Sequence, residues 1–510
     1  MPQKAVLCCN FKRMNQFMRR LLAPVLGLGF LLLILHSCTH EPSKNAVTGS
    51  GYPDAVAKII VTRCATAGCH NALSYENASA LRMDQWDRLF DGSSHGAVVI
   101  PYDIENSSLL YFINTDHSLG HEEVPTMPLN ATPLTKEEYL TIRDWIAAGA
   151  PDKDGNIPFA SDAATRQKIY MTMQGCDLLT VVDADRKVIM RNIQIGKELN
   201  SESPHCVRVS KDGNFAYVCF IAGDYVQKID TRTDAIVAEK QISTNHSASW
   251  NILHLSDDGT KMMIADFING RLKILNTGTM EEINTIYAPG LFSSPHGIES
   301  NIAFDTFYVT AQYGNFVYKV LLDGTTRRIR IDSNVLSNNH GLRDPHEILM
   351  TPDHSKYFLT CEASGEVRVM DVRGDTVSKV FSTPGKPQEM ALSTVKPYLF
   401  VTCMEDASNP LPGAKGSVVV INYQTMEIVK TIYGDFYQPH GITVDDARNH
   451  FFISSANVDP TGPAPHHVST CGGRNGWYTI YDINTLEAVN GIRYETSVYP
   501  YSVDARFKNH

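Results

Sequence analysis

The sequence predicts a small all-α domain followed by an all-β seven-bladed β-propeller. Two observations carry this. The last two thirds of the chain repeat one phrase, x-Pro-His or a degenerate copy of it, at intervals of about 40–60 residues, and short hydrophobic strands follow each copy. The segment before residue 155 lacks that repeat and ends in apolar residues at helical spacing. With 510 residues, about three domains are expected by length, although one repeat fold can absorb most of the chain. Composition is that of a globular protein, 43% hydrophobic and 20% charged. A formal charge of -10 argues against a nucleic-acid partner, which calls for basic patches.

The first residues read as a targeting segment. Lys12, Arg13, Arg19 and Arg20 precede an apolar run from Leu21 to Leu35, a charged region followed by a hydrophobic one of signal-peptide length. The run ends Leu35-His36-Ser37-Cys38. An uncleaved anchor helix is the alternative, and either way the body is exported. No later window is apolar for long enough to cross a bilayer. The polar stretch from Thr39 to Gly51 reads as a tether. The Leu-His-Ser-Cys ending resembles the lipobox of bacterial lipoproteins. That resemblance implies a signal peptide over 1–37, acylation of Cys38, and a lipid anchor holding the chain to a bacterial membrane, facing the periplasm or the cell surface.

Residues 64–70 read Cys64-Ala-Thr-Ala-Gly-Cys69-His70. Haem c attachment needs two thiols for the porphyrin vinyls and a histidine directly after the second, and its usual form is C-x-x-C-H. Here four residues separate the cysteines, with Ala and Gly suited to a compact bulge. Zinc is the rival, since Cys and His also bind it. A zinc site calls for a second ligand pair, and no cysteine follows until Cys176.

The flanking sequence adds to this. Ala55-Val-Ala-Lys-Ile-Ile-Val-Thr-Arg63 leads into the motif. Ile100-Pro101, Ser107-Ser-Leu-Leu-Tyr111 and Pro125-Thr-Met127-Pro128 follow it. The segment from Leu134 to Pro151 then reads as a helix. Thr135 and Glu138 form a capping box, Leu140, Ile142, Trp145 and Ile146 an apolar stripe, and Gly149 and Pro151 a stop. From Tyr52 to Gly155 the chain is similar to the small cytochrome c domains of Bacteroidetes and planctomycete lipoproteins, except that Tyr102 stands where that family has Gly. The resemblance implies a cytochrome c domain over 52–155 with one covalent haem c. His70 is then the proximal and Met127 the distal iron ligand, a pair that raises the potential and leaves no open site. Met83, His95, His117 and His121 are the other candidates for the distal position.

After a linker at 156–167, the propeller is expected over 168–510. Blades begin at 204, 250, 295, 345, 387 and 439, as in Ser203-Pro-His205, Ser294-Pro-His296, Asp344-Pro-His346 and Gln438-Pro-His440. Lys168 to Ile195 has the later strands of a blade, and Pro500 to Arg506 has a first strand alone. Together they make a seventh blade that joins the chain ends and leaves no open sheet edge. Third strands end in Asp or Asn, at Asp230, Asn276, Asp371 and Asp482. The phrasing resembles the YVTN family of propellers.

First strands line a propeller's channel, so Tyr501, His205, Asn251, His296, His346, Gln388 and His440 are expected to form a ring. His205, His296, His346 and His440 could hold a second metal there, or the polar ring holds water. The domain order is similar to that of haem-d-type nitrite reductases, although seven blades depart from their eight. The histidine ring is similar to that of nitrous oxide reductase, whose cupredoxin domain this chain lacks. The Pro/Gly-rich insertion from Asn457 to Gly476 carries His466 and His467, as a lid over one channel mouth or as a surface loop for a partner. Cys206 faces Cys219 if Asp212-Gly213 is a two-residue turn, a separation that suits a disulfide; a longer turn breaks the register. The remaining cysteines, Cys176, Cys361, Cys403 and Cys471, announce no framework.

Two functions follow. The first is an electron-transfer lipoprotein whose propeller docks a redox partner protein of the envelope. The second is an oxidoreductase with a metal or second cofactor in the channel, fed by the haem. An accessory haem on a binding scaffold is a blander third. No catalytic residue is assigned.

Overall fold

A computed structural model describes residues 47–509 except 198–200, 245–246 and 288–291. The targeting segment and Cys38 lie outside the described residues.

Seven four-stranded antiparallel sheets form a seven-bladed β-propeller. In chain order, blades 1 to 6 begin at Pro204, Trp250, Pro295, Pro345, Pro387 and Pro439, the positions read from the repeat. Blade 7 takes its innermost strand, Pro500–Ala505, from the C-terminus and its other three from 168–194. Ile169 pairs with Ala505 and Met171 with Val503, so closure is made by backbone ladder. The buried side chain of Arg506 reinforces it, donating to the carbonyls of Ala163, Ala164, Arg166 and Gly213. The Asp and Asn residues that end third strands accept from backbone N–H groups two or three residues on, as Asp230 does from Arg232 and Asp482 from Asn484, which fixes each turn.

The innermost strands pack on one another around the axis. Six of them begin at a proline, entered through a residue with φ between 48° and 58°, among them Ser203, Ser294 and Tyr499. Only a left-handed residue gives so sharp an entry, and it carries strain for side chains other than Gly. Just after entry the pairing register of these strands shifts, for example between Pro295 and Ile298 and between Pro345 and Ile348. Such bulges take backbone groups out of the ladder.

Hydroxyls on the second strands take up those groups. Thr310 Oγ1 accepts from Gly297 N at 2.7 Å and donates to His346 O, in the next blade, at 3.0 Å. Thr360 does the same for Glu347 N and Gln388 O, Thr402 for Glu389 N and His440 O, and Ser454 for Gly441 N and Tyr501 O. A Cβ on Gly441 would come within 2.0 Å of Tyr501 O, so the close approach of these blades needs a glycine there.

Ahead of the propeller, the described residues carry four α-helices: α1 (Asp54–Ile59), α2 (Trp86–Leu89), α3 (Ser108–Ile113) and α4 (Lys136–Ala147). A π-helical turn, Ile60–Cys64, continues α1. The capping box of α4 is present, Glu138 N to Thr135 Oγ1 at 3.2 Å and Thr135 N to Glu138 Oε2 at 2.8 Å. Val56, Ile60, Leu110, Ile142 and Ile146 meet in one core. The expected tether ends sooner than read: Ser50 is buried and its carbonyl accepts from Trp86 N. The linker is docked rather than free, with Phe159 packed edge-on against Phe90. No helix among the described residues is long and apolar enough to cross a membrane.

The helical unit sits on blades 6 and 7. Ile100 joins a core with Ile169, Val188 and Tyr494 of the propeller. Asn192 Nδ2 donates to Asp103 Oδ2 at 2.8 Å, and the Arg191 guanidinium lies 4.5 Å from the centre of the Tyr102 ring.

Replacing Thr402 with Val strands a buried N–H and a buried carbonyl. The expected cost is about 1–3 kcal/mol, seen as a melting midpoint lowered by a few degrees. Thr402→Ser keeps the hydroxyl and is expected to melt like the wild type. Equal midpoints for Thr402→Val and wild type would remove the bridging role.

Candidate functional site

The chain turns sharply between Cys64 and His70. Cys69 N donates to Thr66 O and His70 N to Cys64 O, so the four intervening residues loop outward. Gly68, at φ 81°, stands with no atom within 4 Å of its missing Cβ. Cys64 is buried, which pushes its thiol pKa up to about 12; Cys69 is partly exposed. His70 Nδ1 lies 3.1 Å from the carbonyl of Leu81. That bond sets Nδ1 as the protonated nitrogen and leaves the Nε2 lone pair free. Burial lowers the His70 pKa, keeping the ring neutral.

Cys64, Cys69, His70 and Met127 all line one cavity of about 410 Å³. Met127 is held there by its backbone N–H, which donates to Phe112 O at 2.7 Å. Of the other candidates, Met83 and His95 line the same cavity and His117 and His121 do not. His117 is exposed beside Glu122, and His121 pairs with Glu123.

The far wall belongs to the propeller. The insertion of blade 6 turns its histidines toward the helical unit and away from the channel ring. His466 stacks on His95 with ring centres 4.2 Å apart and meets Phe112 at 5.4 Å. His467 Nδ1 pairs with Glu495 Oε1 at 2.6 Å, and Asn475 Nδ2 donates to the same oxygen at 2.9 Å. Burial acts to raise the Glu495 pKa, but the bonds from His467, Asn475 and the His466 N–H outweigh it and hold the carboxyl below its ordinary 4.5.

A disulfide joins Cys176, in the first turn of blade 7, to Cys471 of the insertion. Local spacing gave no sign of it, because 295 residues separate the pair. The pairing that the sequence left open does not form. Cys206 and Cys219 are opposed in the ladder as expected, but both are free, buried thiols. The hairpin between them is longer than two residues: Ser210 N closes it on Phe215 O. The pair still falls in register because lengthening was symmetric about Asp212-Gly213. Cys219 stands at the strand position that carries Thr310, Thr360 and Thr402 in other blades, and so faces the neighbouring blade.

The channel ring forms. His205, His296, His346, His440 and Tyr501 are buried, with ring centres 3.6 to 5.8 Å apart from neighbour to neighbour. His205 Nε2 and His296 Nε2 are 3.4 Å apart, and Gln174 Nε2 lies 3.2 Å from His205 Nδ1. Burial lowers the pKa of every imidazole, to about 4 for His296 and about 3 for His440. Further along the same strands is a second cavity of about 270 Å³, lined in part by Arg208, His254, Glu299, Glu347 and Glu389. Burial raises Glu299 to about 8 and lifts Glu347 and Glu389 as well. Glu347 escaped the sequence reading. Strict alternation sets it on the opposite face from His346, and the bulge after Pro345 brings the two together.

Two outcomes are expected here. A peptide map of the unreduced protein should contain Cys176 and Cys471 in one cross-linked species, and Cys471→Ser should cost about 2–4 kcal/mol. Recovery of the two peptides apart without reductant would exclude the bond. Because the folded pKa of Glu495 is depressed, its stabilising effect is present above 4.5 and lost as pH falls through the folded value. The stability gap between wild type and Glu495→Gln in urea should therefore close on acidification; a gap independent of pH would contradict the ion pair.

No protein-family model matches this chain, and no curated protein matches it in sequence. Among solved structures, Kuenenia stuttgartiensis hydrazine synthase is similar at 15% identity and a TM-score of 0.45, over 62% of this chain and 92% of that one. A functionally unknown protein from Desulfotomaculum acetoxidans is similar at 14% identity and 0.47, over 65% of this chain and 99% of the other. Dihydro-heme d1 dehydrogenase NirN, in complex with DHE, is similar at 14% identity and 0.45, over 82% and 94%. All three likenesses are distant.

Proposed function

We propose that this protein is an exported lipoprotein that transfers electrons through one covalent haem c held by Cys64, Cys69, His70 and Met127. The observation that carries the reading is that these four side chains, from two separate stretches of the helical unit, line a single cavity. The donor set fits the group. Two thiols stand ready for thioether bonds, and His70 offers Nε2 because Leu81 O occupies Nδ1. A haem c bound there supplies one-electron chemistry at the iron.

The chain's own residues do the rest. The carbonyl of Leu81 fixes the tautomer and direction of the His70 ring. Met127 offers a neutral thioether, the ligand type that raises a haem potential. His466 and His467, braced by Glu495, close the propeller side of the cleft and limit access of water to it. Acylation at Cys38 anchors the chain to the membrane, and the outer face of the propeller meets a redox partner protein of the envelope.

The test is to express the full chain in a host with cytochrome c maturation and record covalent haem, spectrum and potential. Wild type should carry one haem resistant to denaturing extraction, and Cys64→Ala with Cys69→Ala should abolish it. Met127→His should keep the haem and lower the potential by on the order of 0.1 V, within the roughly 0.8 V that axial ligands span. Met83→Leu should leave it unchanged. Absence of covalent haem would end the reading, and a Met127→His potential equal to wild type would remove Met127 as ligand.

A further inference from the structure

We propose that the propeller channel binds a divalent transition-metal ion through His296, His346 and Glu347. One ligating atom from each lies within 4.8 Å of the other two, and all three residues are buried. The inference is independent of the haem reading, since it uses no residue of the helical unit.

Three features of the channel point to a cation. First, His296 is already oriented as a ligand. Its Nδ1 donates to the His346 carbonyl at 3.2 Å, which leaves the Nε2 lone pair facing the channel. Second, His346 Nδ1, His440 Nδ1 and Glu347 Oε2 are buried and have no hydrogen-bond partner among the described residues. A buried polar atom left unpaired costs free energy, and an ion would satisfy the carboxylate oxygen together with the imidazoles. Third, the Nε2 atoms of His205 and His296 are 3.4 Å apart. Two nitrogens at about 2.0–2.1 Å from one tetrahedral ion are separated by about 3.3 Å, so His205 stands beside His296 at ligand spacing, outside the three-residue group itself.

Gln174 is set to permit this. As placed, its Nε2 faces His205 Nδ1 and its buried Oε1 has no partner among the described residues. Turning the amide over exchanges the two atoms at no change in shape, so that Oε1 accepts from His205 Nδ1–H and His205 Nε2 is freed. The backbone holds the ligands at fixed spacing. Thr310 Oγ1 donates to the His346 carbonyl and accepts from Gly297 N, which locks the residue after His296 to the strand that carries His346. Two imidazoles with one carboxylate match zinc and its late first-row neighbours, and three protein ligands leave a fourth position open.

Zinc(II) is the probe. The full-length protein is loaded with Zn2+, freed of loosely held ion by gel filtration, and analysed for metals per chain, with a zinc-edge X-ray absorption spectrum on the same sample. Wild type should retain about one zinc with nitrogen and oxygen neighbours near 2.0–2.1 Å, and its melting midpoint should rise with added Zn2+. Glu347→Gln, which preserves side-chain volume, and His346→Ala should each weaken retention at least tenfold. His467→Ala, in the insertion, should bind as wild type does. If His346→Ala does not fold, Glu347→Gln alone decides, read against its circular dichroism. Wild type without retained zinc, a Glu347→Gln protein that binds as wild type does, or loss of zinc on His467→Ala would each overturn the assignment.

Discussion

Around the channel, a hydroxyl from each of four blades joins two innermost strands. Thr310, Thr360, Thr402 and Ser454 each accept a backbone N–H from their own blade and donate to a carbonyl of the next. The bulges that begin these strands take those backbone groups out of the ladder, and burial makes them costly to leave unpaired. A hydroxyl can serve both because it donates and accepts at once. The belt therefore sets the spacing between neighbouring blades at the level of the ring. Side chains borne by the bridged residues, His346, Gln388, His440 and Tyr501, are placed by the same contacts.

Most of the fold was legible because the repeat writes it seven times. Each Pro-His phrase marked the start of an innermost strand, and the orphan strand at Pro500 announced the closure. The Thr135–Glu138 cap was readable from local sequence, whereas Cys206 and Cys219 face each other only because the longer turn is symmetric about Asp212-Gly213. What could not be read lay between segments far apart in sequence. Cys176 and Cys471 meet only once blade 7 closes against blade 6. His466 and His467 face the helical unit because two domains dock there, and nothing in the loop encodes the direction. Glu347 was hidden by a bulge, the local event that defeats a period-two reading.

Docking also accounts for the conformation of Tyr102. Its backbone keeps the left-handed conformation that glycine would take, at φ 68°. Its ring lies over Gly149, where an added Cβ would come within 2.4 Å, and beneath the guanidinium of Arg191. The strain of that conformation is offset by an aromatic and cation–π contact that reaches the propeller. The cleft at residues 64–70 thus depends on both parts of the molecule. One wall comes from α3 and the segment around Met127, the other from Asn475, Glu495 and the disulfide-tied insertion.

The shared blade 7 imposes an order of events on a chain made from its N-terminus. The motif at residues 64–70 and the whole helical unit emerge early. The insertion, Glu495 and the closing strand from Pro500 to Ala505 emerge last. Until that final strand pairs with Ile169 and Met171, the sheet beneath the helical unit has an open edge and the wall carried by blade 6 has no fixed neighbour. Cys64 and Cys69 therefore lie in an open cleft until that strand has paired. Pairing of the strand from Pro500 to Ala505 is thus the event that gives the cleft its second wall.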